Sequence, residues 1–241
     1  MKKILHPKDI FTEITSDYQK VYGSDLVSIV LYGSGAGVDY QPGTSNLNFL
    51  IILSENAIDH LDKALDTVKK WKKKNVAVPL FMTDSYIRSS LDSYPLEFLN
   101  MKNRYDCVYG KDVLKDISLP KNDLRLQCER EIKGKLLLLR EEFLMTEGKT
   151  DQIKDLIARS ITAFISIFRG LLYLRDLESP ETAQSVIEKT AKEFSFQEKP
   201  FLQCLKIKET KGSFSASETG TIFKAYLQEV RKLWHTADTI K

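Results

Sequence analysis

The sequence contains few of the residues that build disulfide or zinc sites. Its 241 residues include only three cysteines, Cys107, Cys128 and Cys204, and three histidines, which are also far apart. An odd number of scattered cysteines argues against a disulfide framework and against a thiolate metal site. We therefore expect no structural metal, and we expect the protein in a reducing cytoplasm.

The sequence also has little excess charge and no long uninterrupted apolar run. Its formal net charge is only +3, which argues against nucleic acid as a partner. The N-terminal segment carries no apolar stretch of signal-peptide length, and the most apolar segment, 161–174, is interrupted by Ser166, Arg169 and Gly170. We expect no membrane span, although 42% hydrophobic residues support a sizeable core.

The chain changes character near Pro120, which predicts two domains, 1–120 and 121–241. Strand-like and helix-like segments alternate in the first, which favours an α+β domain with a mixed sheet. Its predicted strands are 26–32, 47–53, 76–82 and 96–101, and its predicted helices are 7–22, 57–74 and 83–91. The second domain is predicted as an all-α helical bundle with helices near 122–147, 151–177, 180–194, 197–209 and 217–238.

One short segment of the predicted bundle is apolar on nearly all sides. Leu136–Leu139 is a run of four leucines inside the first long helix of that domain. Such a run is typical of a helix that is buried from every direction. We therefore expect this helix in the middle of the bundle.

The end of the first predicted strand carries a glycine-rich turn. Gly33-Ser34 follows the apolar run 26–32, and a glycine at this point lets the backbone turn sharply and lets a ligand come close. Successive N–H groups in such a turn bind phosphate oxygens. Ordinary turn chemistry explains the same residues, and the spacing of a Walker loop or of a dinucleotide-binding loop is missing.

The next polar residues give the turn a specific context. Eleven residues separate Ser34 from Asn46, and Asn46-Leu47-Asn48 then opens the apolar run 49–53. This order, from Tyr32-Gly33-Ser34 to a polar-apolar-polar strand start, resembles the DNA polymerase beta-like nucleotidyltransferase superfamily. The layout of a sheet domain followed by helices is similar to that of its members that modify small molecules such as aminoglycosides.

The resemblance implies a metal-dependent site in which this chain has lost the acids. In the family, two acids on one strand face the same side and hold two Mg²⁺ ions that bind a nucleoside triphosphate. Asn46 and Asn48 occupy these positions, and an amide brings no negative charge to a hard cation. Glu97 is the best match for the family's third acid, and Asp39 precedes the asparagines in the loop.

Each of these residues has a plainer interpretation. Asn46 and Asn48 flank a turn, where asparagine is favoured, and Asp39 suits a loop in which it bonds its own backbone. Glu97 fits an exposed strand face equally well. Asp84 is expected in the first turn of a helix, and none of these acids restores the paired geometry.

Three functions remain open from the sequence. The first is a nucleotidyltransferase-fold protein with impaired catalysis, a pseudoenzyme that still binds a nucleotide or a small phosphorylated ligand through Gly33, Ser34, Asn46 and Asn48. The second is an active transferase on a small hydroxylated acceptor or a protein, with Glu97 and Asp39 as metal ligands. The third is a protein-interaction module that uses its apolar helices.

Overall fold

A computed structural model describes residues 4–38, 40–43, 45–210 and 214–238, with no side chains described beyond Trp234. The chain divides into two compact units, 1–119 and 120–241. The elements of the first unit are α1 (Phe11–Tyr22), β1 (Leu26–Tyr32), β2 (Asn48–Leu53), α2 (Leu65–Lys72), β3 (Leu80–Met82), α3 (Asp84–Ser89), α4 (Pro95–Asn103) and β4 (Tyr105–Gly110).

The first unit is built on a mixed sheet with the strand order β3-β2-β1-β4. Strand β1 pairs antiparallel with both β2 and β4, whereas β2 and β3 are parallel. Tyr32 at the end of β1 lies opposite Asn48 on one side and opposite Tyr105 on the other. Residues that pair directly have side chains on the same face, so these three side chains share one face of the sheet.

The opposite face of the sheet carries the core of this unit. Alternate residues of β2, such as Phe49 and Ile51, are fully buried together with Leu31 of β1. Ile14 of α1 and Trp71 of α2 pack against them. The period-two alternation of β2 therefore sends one set of side chains into this core and the other set to the face of Asn48.

The predicted strand 96–101 is wrong, because this segment forms helix α4. Pro95 occupies the first turn of the helix, a position that proline favours as readily as a strand start. Leu96 and Leu99 are buried, as are Phe98 and Met101. This is the i, i+3 spacing of a helix rather than the alternation of a strand. The true fourth strand, β4, follows at Tyr105–Gly110 and has no strongly apolar pattern.

Gly110 lets the end of β4 approach β1 closely. Gly110 has φ +75°, and a methyl group placed on it would lie 2.1 Å from the carbonyl oxygen of Val27. The next residue, Lys111, donates its N–H to that same oxygen at 3.2 Å. The end of β4 thus requires both a left-handed backbone and the absence of a side chain.

We expect Gly110→Ala to be strongly destabilising. The backbone conformation costs about 1–2 kcal/mol for an L-residue, and the overlap with Val27 adds about 1–3 kcal/mol. Gly33→Ala is a matched control, because Gly33 has φ +76° but a methyl there would meet its neighbour at an ordinary 3.6 Å. Chemical unfolding checks the difference, and equal losses for the two variants would contradict the assigned overlap.

All of the regular secondary structure described for the second unit is helical. Its elements are α5 (Lys121–Met145), α6 (Thr150–Leu174), α7 (Ala183–Phe194), α8 (Lys199–Thr210) and α9 (Ala216–Asp238). These agree with the five predicted helices to within a few residues, apart from α7, which begins after the cap residue Thr182 rather than at Pro180.

Helix α6 supplies much of the core of the second unit. Twelve of its residues are buried, and Phe164 and Phe168 lie in an aromatic cluster with Phe201 and Tyr226. By length and composition alone, α6 is also the one helix among the described residues that is long and apolar enough to cross a membrane. In its most apolar window 61% of the residues are buried, and the core helix of a globular unit gives the same pattern.

The prediction that Leu136–Leu139 is buried on all sides is wrong. Leu136 and Leu139 are buried, but Leu137 is 64% exposed and Leu138 is 49% exposed. The side chains of a helix at i and i+3 share a face, so Leu136 and Leu139 serve the core while the two residues between them point away. Helix α5 is therefore covered on one side only.

Candidate functional site

The glycine-rich turn is fixed at the end of β1. Gly33 has φ +76°, a left-handed conformation that favours glycine, and it begins a short turn that runs to Ala36. The N–H of Gly33 donates to the carbonyl oxygen of Arg104 at 3.0 Å, and the N–H of Gly37 donates to that of Ser34 at 3.2 Å. The turn therefore has its ends held by the backbone.

The two asparagines are held in place by the residue between them. Leu47 donates its N–H to Asn75 at 3.2 Å, accepts the N–H of Ala77 at 2.9 Å and is fully buried. Because side chains alternate along an extended chain, we expect Asn46 and Asn48 both to point away from this core. That Asn46 and Asn48 share a direction stays a prediction from this alternation.

Asn48 lies directly beside the turn. Its Nδ2 atom would be 3.6 Å from a methyl group placed on Gly33, and the side chain is half-buried, whereas Asn46 is exposed. Within the described residues, neither side-chain amide nor the Ser34 hydroxyl makes a hydrogen bond. The Ser34 hydroxyl in the turn and the Asn48 amide beside it therefore have their donors and acceptors available.

Arg104 is a site residue that the sequence analysis missed. Its carbonyl oxygen holds Gly33, and its side chain passes Gly37 so closely that a methyl there would lie 3.1 Å from both Cδ and Nη1. Arg104 is half-buried and has a further interaction within the protein. A guanidinium fork beside a glycine turn is suited to phosphate oxygens.

No local signal in the sequence points to Arg104. It lies 71 residues after Gly33 and directly before β4. Only the pairing of Tyr32 with Tyr105 brings it to the turn. A correct fourth strand in the prediction would have found it, because the residue before that strand meets the end of β1.

A tyrosine and an acid lie on the same face of the sheet as Asn48. The hydroxyl of Tyr105 donates to Oδ2 of Asp112 at 3.1 Å. Burial, together with this carboxylate, raises the pKa of Tyr105 to about 12. The hydroxyl of Tyr105 therefore remains protonated at neutral pH and keeps Asp112 engaged.

The predicted acids do not assemble a metal site within the described residues. Glu97 lies exposed in the first turn of α4, so its proposed place on a strand beside the asparagines is lost. Asp39 lies outside the described residues. Asp84 begins α3, as expected, and its Oδ2 accepts from Lys111 at 3.0 Å and from Arg88 at 3.3 Å. Lys111 first and then Arg88 lower the pKa of this carboxyl. It is therefore ionised, and these two cations balance its charge.

Among the described residues, those around the turn do not fit a pair of magnesium ions. Mg²⁺ needs charged oxygen ligands in an octahedral arrangement, and Asn46 and Asn48 offer only neutral amides. No group of three or more His, Cys, Asp or Glu side chains suited to a metal occurs in the part of the chain that is described. The guanidinium of Arg104 instead brings a positive charge next to Gly37 of the turn.

The sheet, the turn and the helical unit together define a nucleotidyltransferase-like α+β layout. A solved structure shares it: spectinomycin adenyltransferase AAD(9) from Enterococcus faecialis, determined with ATP and spectinomycin. That structure superposes with a TM-score of 0.55 and 11% sequence identity, over 91% of this chain and 99% of that chain. The likeness confirms the predicted fold class. No family model and no curated protein sequence matches the chain.

Proposed function

We propose that this protein binds a nucleotide or a related small phosphorylated ligand at the turn Gly33–Gly37 and that it lacks efficient nucleotidyl transfer. Gly33, Ser34, Asn46 and Asn48 line the ligand. The observation that carries the proposal is the polar lining of this turn, with the amide of Asn48 beside Gly33 and the guanidinium of Arg104 beside Gly37; the resemblance adds that Asn46 and Asn48 stand where the family has acids. A neighbour of the same fold was determined with ATP, which supports a nucleotide as the ligand.

The charge balance of this site favours an anion without a metal. An acid pair repels phosphate unless divalent cations lie between them, whereas two neutral amides impose no such repulsion and donate hydrogen bonds. Arg104 supplies positive charge directly, and its hydrogen bonds to phosphate are charge-assisted. The same substitution removes the ions that would activate a nucleophile and stabilise the leaving pyrophosphate, a contribution commonly worth several kcal/mol of barrier.

The proposal predicts nucleotide binding that is indifferent to magnesium. In a calorimetric titration, ATP is expected to bind with the same dissociation constant, within about twofold, in excess Mg²⁺ and in excess EDTA. Inorganic triphosphate serves as the comparison that isolates the phosphate contribution. An affinity that rises tenfold or more with Mg²⁺ would mean that other acids hold a metal, and binding in neither condition would remove the ligand site altogether.

Catalysis is tested separately from binding. Release of pyrophosphate from ATP is measured in Mg²⁺ over a panel of hydroxylated small molecules and unfolded protein acceptors. We expect no release above the rate without protein. Acceptor-dependent release would replace the proposal with an active transferase, even if the binding were independent of magnesium.

A further inference from the structure

The exposed side of α5 carries a stripe of three large apolar residues, one glycine and two charged residues. It consists of Leu126, Arg130, Gly134, Leu137, Glu141 and Met145, spaced by three or four residues and all exposed; we call it the α5 stripe. This spacing places all six on one face of the helix. Leu126 is 54% exposed, Leu137 64% and Met145 72%, and Leu138 and Leu144 on its flanks are exposed as well.

Exposed leucines this close together indicate a surface that binds another molecule. Scattered apolar side chains are normal on a protein surface, but a contiguous patch marks an interaction site. The stripe extends over 20 positions, which is about 29 Å of helix. The opposite side of α5 packs inside its own unit. Its buried residues include Leu124, Ile132, Leu136 and Leu139.

The stripe is complementary to itself in the antiparallel direction. If two copies of α5 cross with the midpoint between positions 135 and 136, Arg130 of each copy meets Glu141 of the other. Leu126 then meets Met145, and Gly134 meets Leu137. Every residue of the stripe thus gains a partner of matching chemistry, which is the pattern of an isologous two-fold interface.

Two features of the helix support this register. Arg130 and Glu141 form no ion pair within the described residues, although most other charges of α5 do, as in the pairs of Glu129 with Arg125 and Lys133. A methyl group placed on Gly134 would meet nothing within 4 Å, so the helix is open where Leu137 of a second copy would approach.

A groove beside the stripe provides room for the second copy. It has a volume of about 570 Å³ and lies between the end of α5 and the start of α6. Leu138, Glu141 and Met145 form one wall, and Leu156 and Arg159 belong to the other. In the antiparallel register, Leu126 of the second copy lies at Met145, on the edge of this groove.

We propose that the α5 stripe is the interface of a symmetric, antiparallel homodimer. A single helix pair buries less than the roughly 1,200–2,000 Å² of a standard interface, so we expect a weak dimer, with a dissociation constant of the order of micromolar. The proposal is independent of the nucleotide site, because it rests on residues of the helical unit alone. A different apolar helix as the partner is the alternative that the experiment distinguishes.

The first test is sedimentation equilibrium of the full chain between about 1 and 200 µM. The mass is expected to rise from 27.6 kDa towards twice that value. Leu137→Glu introduces a buried charge at the centre of the interface and is expected to weaken dimerisation at least about tenfold. The control Leu65→Glu changes a 68% exposed leucine on α2 and is expected to leave it unchanged.

A charge exchange tests the register itself. Arg130→Glu alone and Glu141→Arg alone each place like charges together twice in the dimer, so both variants are expected to be monomeric at concentrations where the unaltered chain is dimeric. An equimolar mixture of the two variants restores both opposite-charge pairs and is expected to form a heterodimer. The double variant Arg130→Glu, Glu141→Arg is expected to form a homodimer again.

Three results would overturn the proposal. The first is a chain that stays monomeric at 200 µM, about a hundredfold above the expected constant. The second is a dimer that Leu137→Glu does not weaken although circular dichroism shows the variant folded. The third is a mixture of the two charge variants that stays monomeric. All substituted positions are exposed, so folding of the single chain is expected to persist.

Discussion

Arg104→Ala is expected to weaken ATP binding about 10- to 100-fold, in Mg²⁺ and in EDTA alike. Charge-assisted hydrogen bonds to a phosphate contribute about 1.5–3 kcal/mol, and each 1.4 kcal/mol is tenfold in affinity. The variant keeps the turn itself, because Gly33 donates to the backbone carbonyl of Arg104 and not to its side chain. The measurement is the same calorimetric titration that defines binding by the unaltered chain.

One further variant at Arg104 and one control elsewhere separate charge from geometry. Arg104→Lys keeps the charge but loses the planar fork, so we expect an intermediate loss of about three- to tenfold. Lys20→Ala removes an exposed cation from α1, which packs on the opposite face of the sheet, and is expected to leave affinity unchanged. An equal effect of Lys20→Ala and Arg104→Ala would show that only net charge matters and would remove Arg104 from the site.

The sequence allowed most of the fold to be predicted, because its strongest elements have clear periodicities. Strand β1, strand β2 and the long helices of the second unit were placed within a few residues. The fourth strand was missed because Tyr105–Gly110 has only half-buried or exposed residues, whereas the helix before it is apolar and begins with Pro95. At a sheet edge, pairing with β1 decides the structure, and local pattern does not report it.

The candidate site was predictable only where it is local in the chain. The turn at Gly33 follows from glycine chemistry, and the place of Asn48 on the strand beside it follows from the start of the apolar run 49–53. Arg104 reaches the turn through strand pairing across 71 residues, and Glu97 was misplaced by the same missed strand. The self-complementary face of α5 was hidden for a related reason, since four consecutive leucines do not reveal which two of them the core takes.

Introducing acids at Asn46 and Asn48 is expected to change the dependence of ATP binding on metal. In the double variant Asn46→Asp, Asn48→Asp, two carboxylates face the phosphate groups, and repulsion is expected to lower ATP affinity at least about tenfold in EDTA. Aspartate has the same shape as asparagine, so the loss reports charge and not packing. Carboxylates that share a face are ligands for Mg²⁺, which is expected to recover most of the affinity.

The single variants and a control locate the effect at the turn. Asn48 is half-buried beside Gly33, whereas Asn46 is exposed, so Asn48→Asp is expected to carry the larger part of the loss in EDTA. The pair Thr12→Glu, Gln19→Glu adds the same two charges at exposed positions of α1, which packs on the opposite face of the sheet, and is expected to leave ATP affinity unchanged. Unchanged affinity in EDTA for the double aspartate variant would place the ligand away from these asparagines. Recovery in Mg²⁺ would instead establish that the site kept the geometry of a metal-dependent transferase, and that the two amides are what make its binding independent of metal.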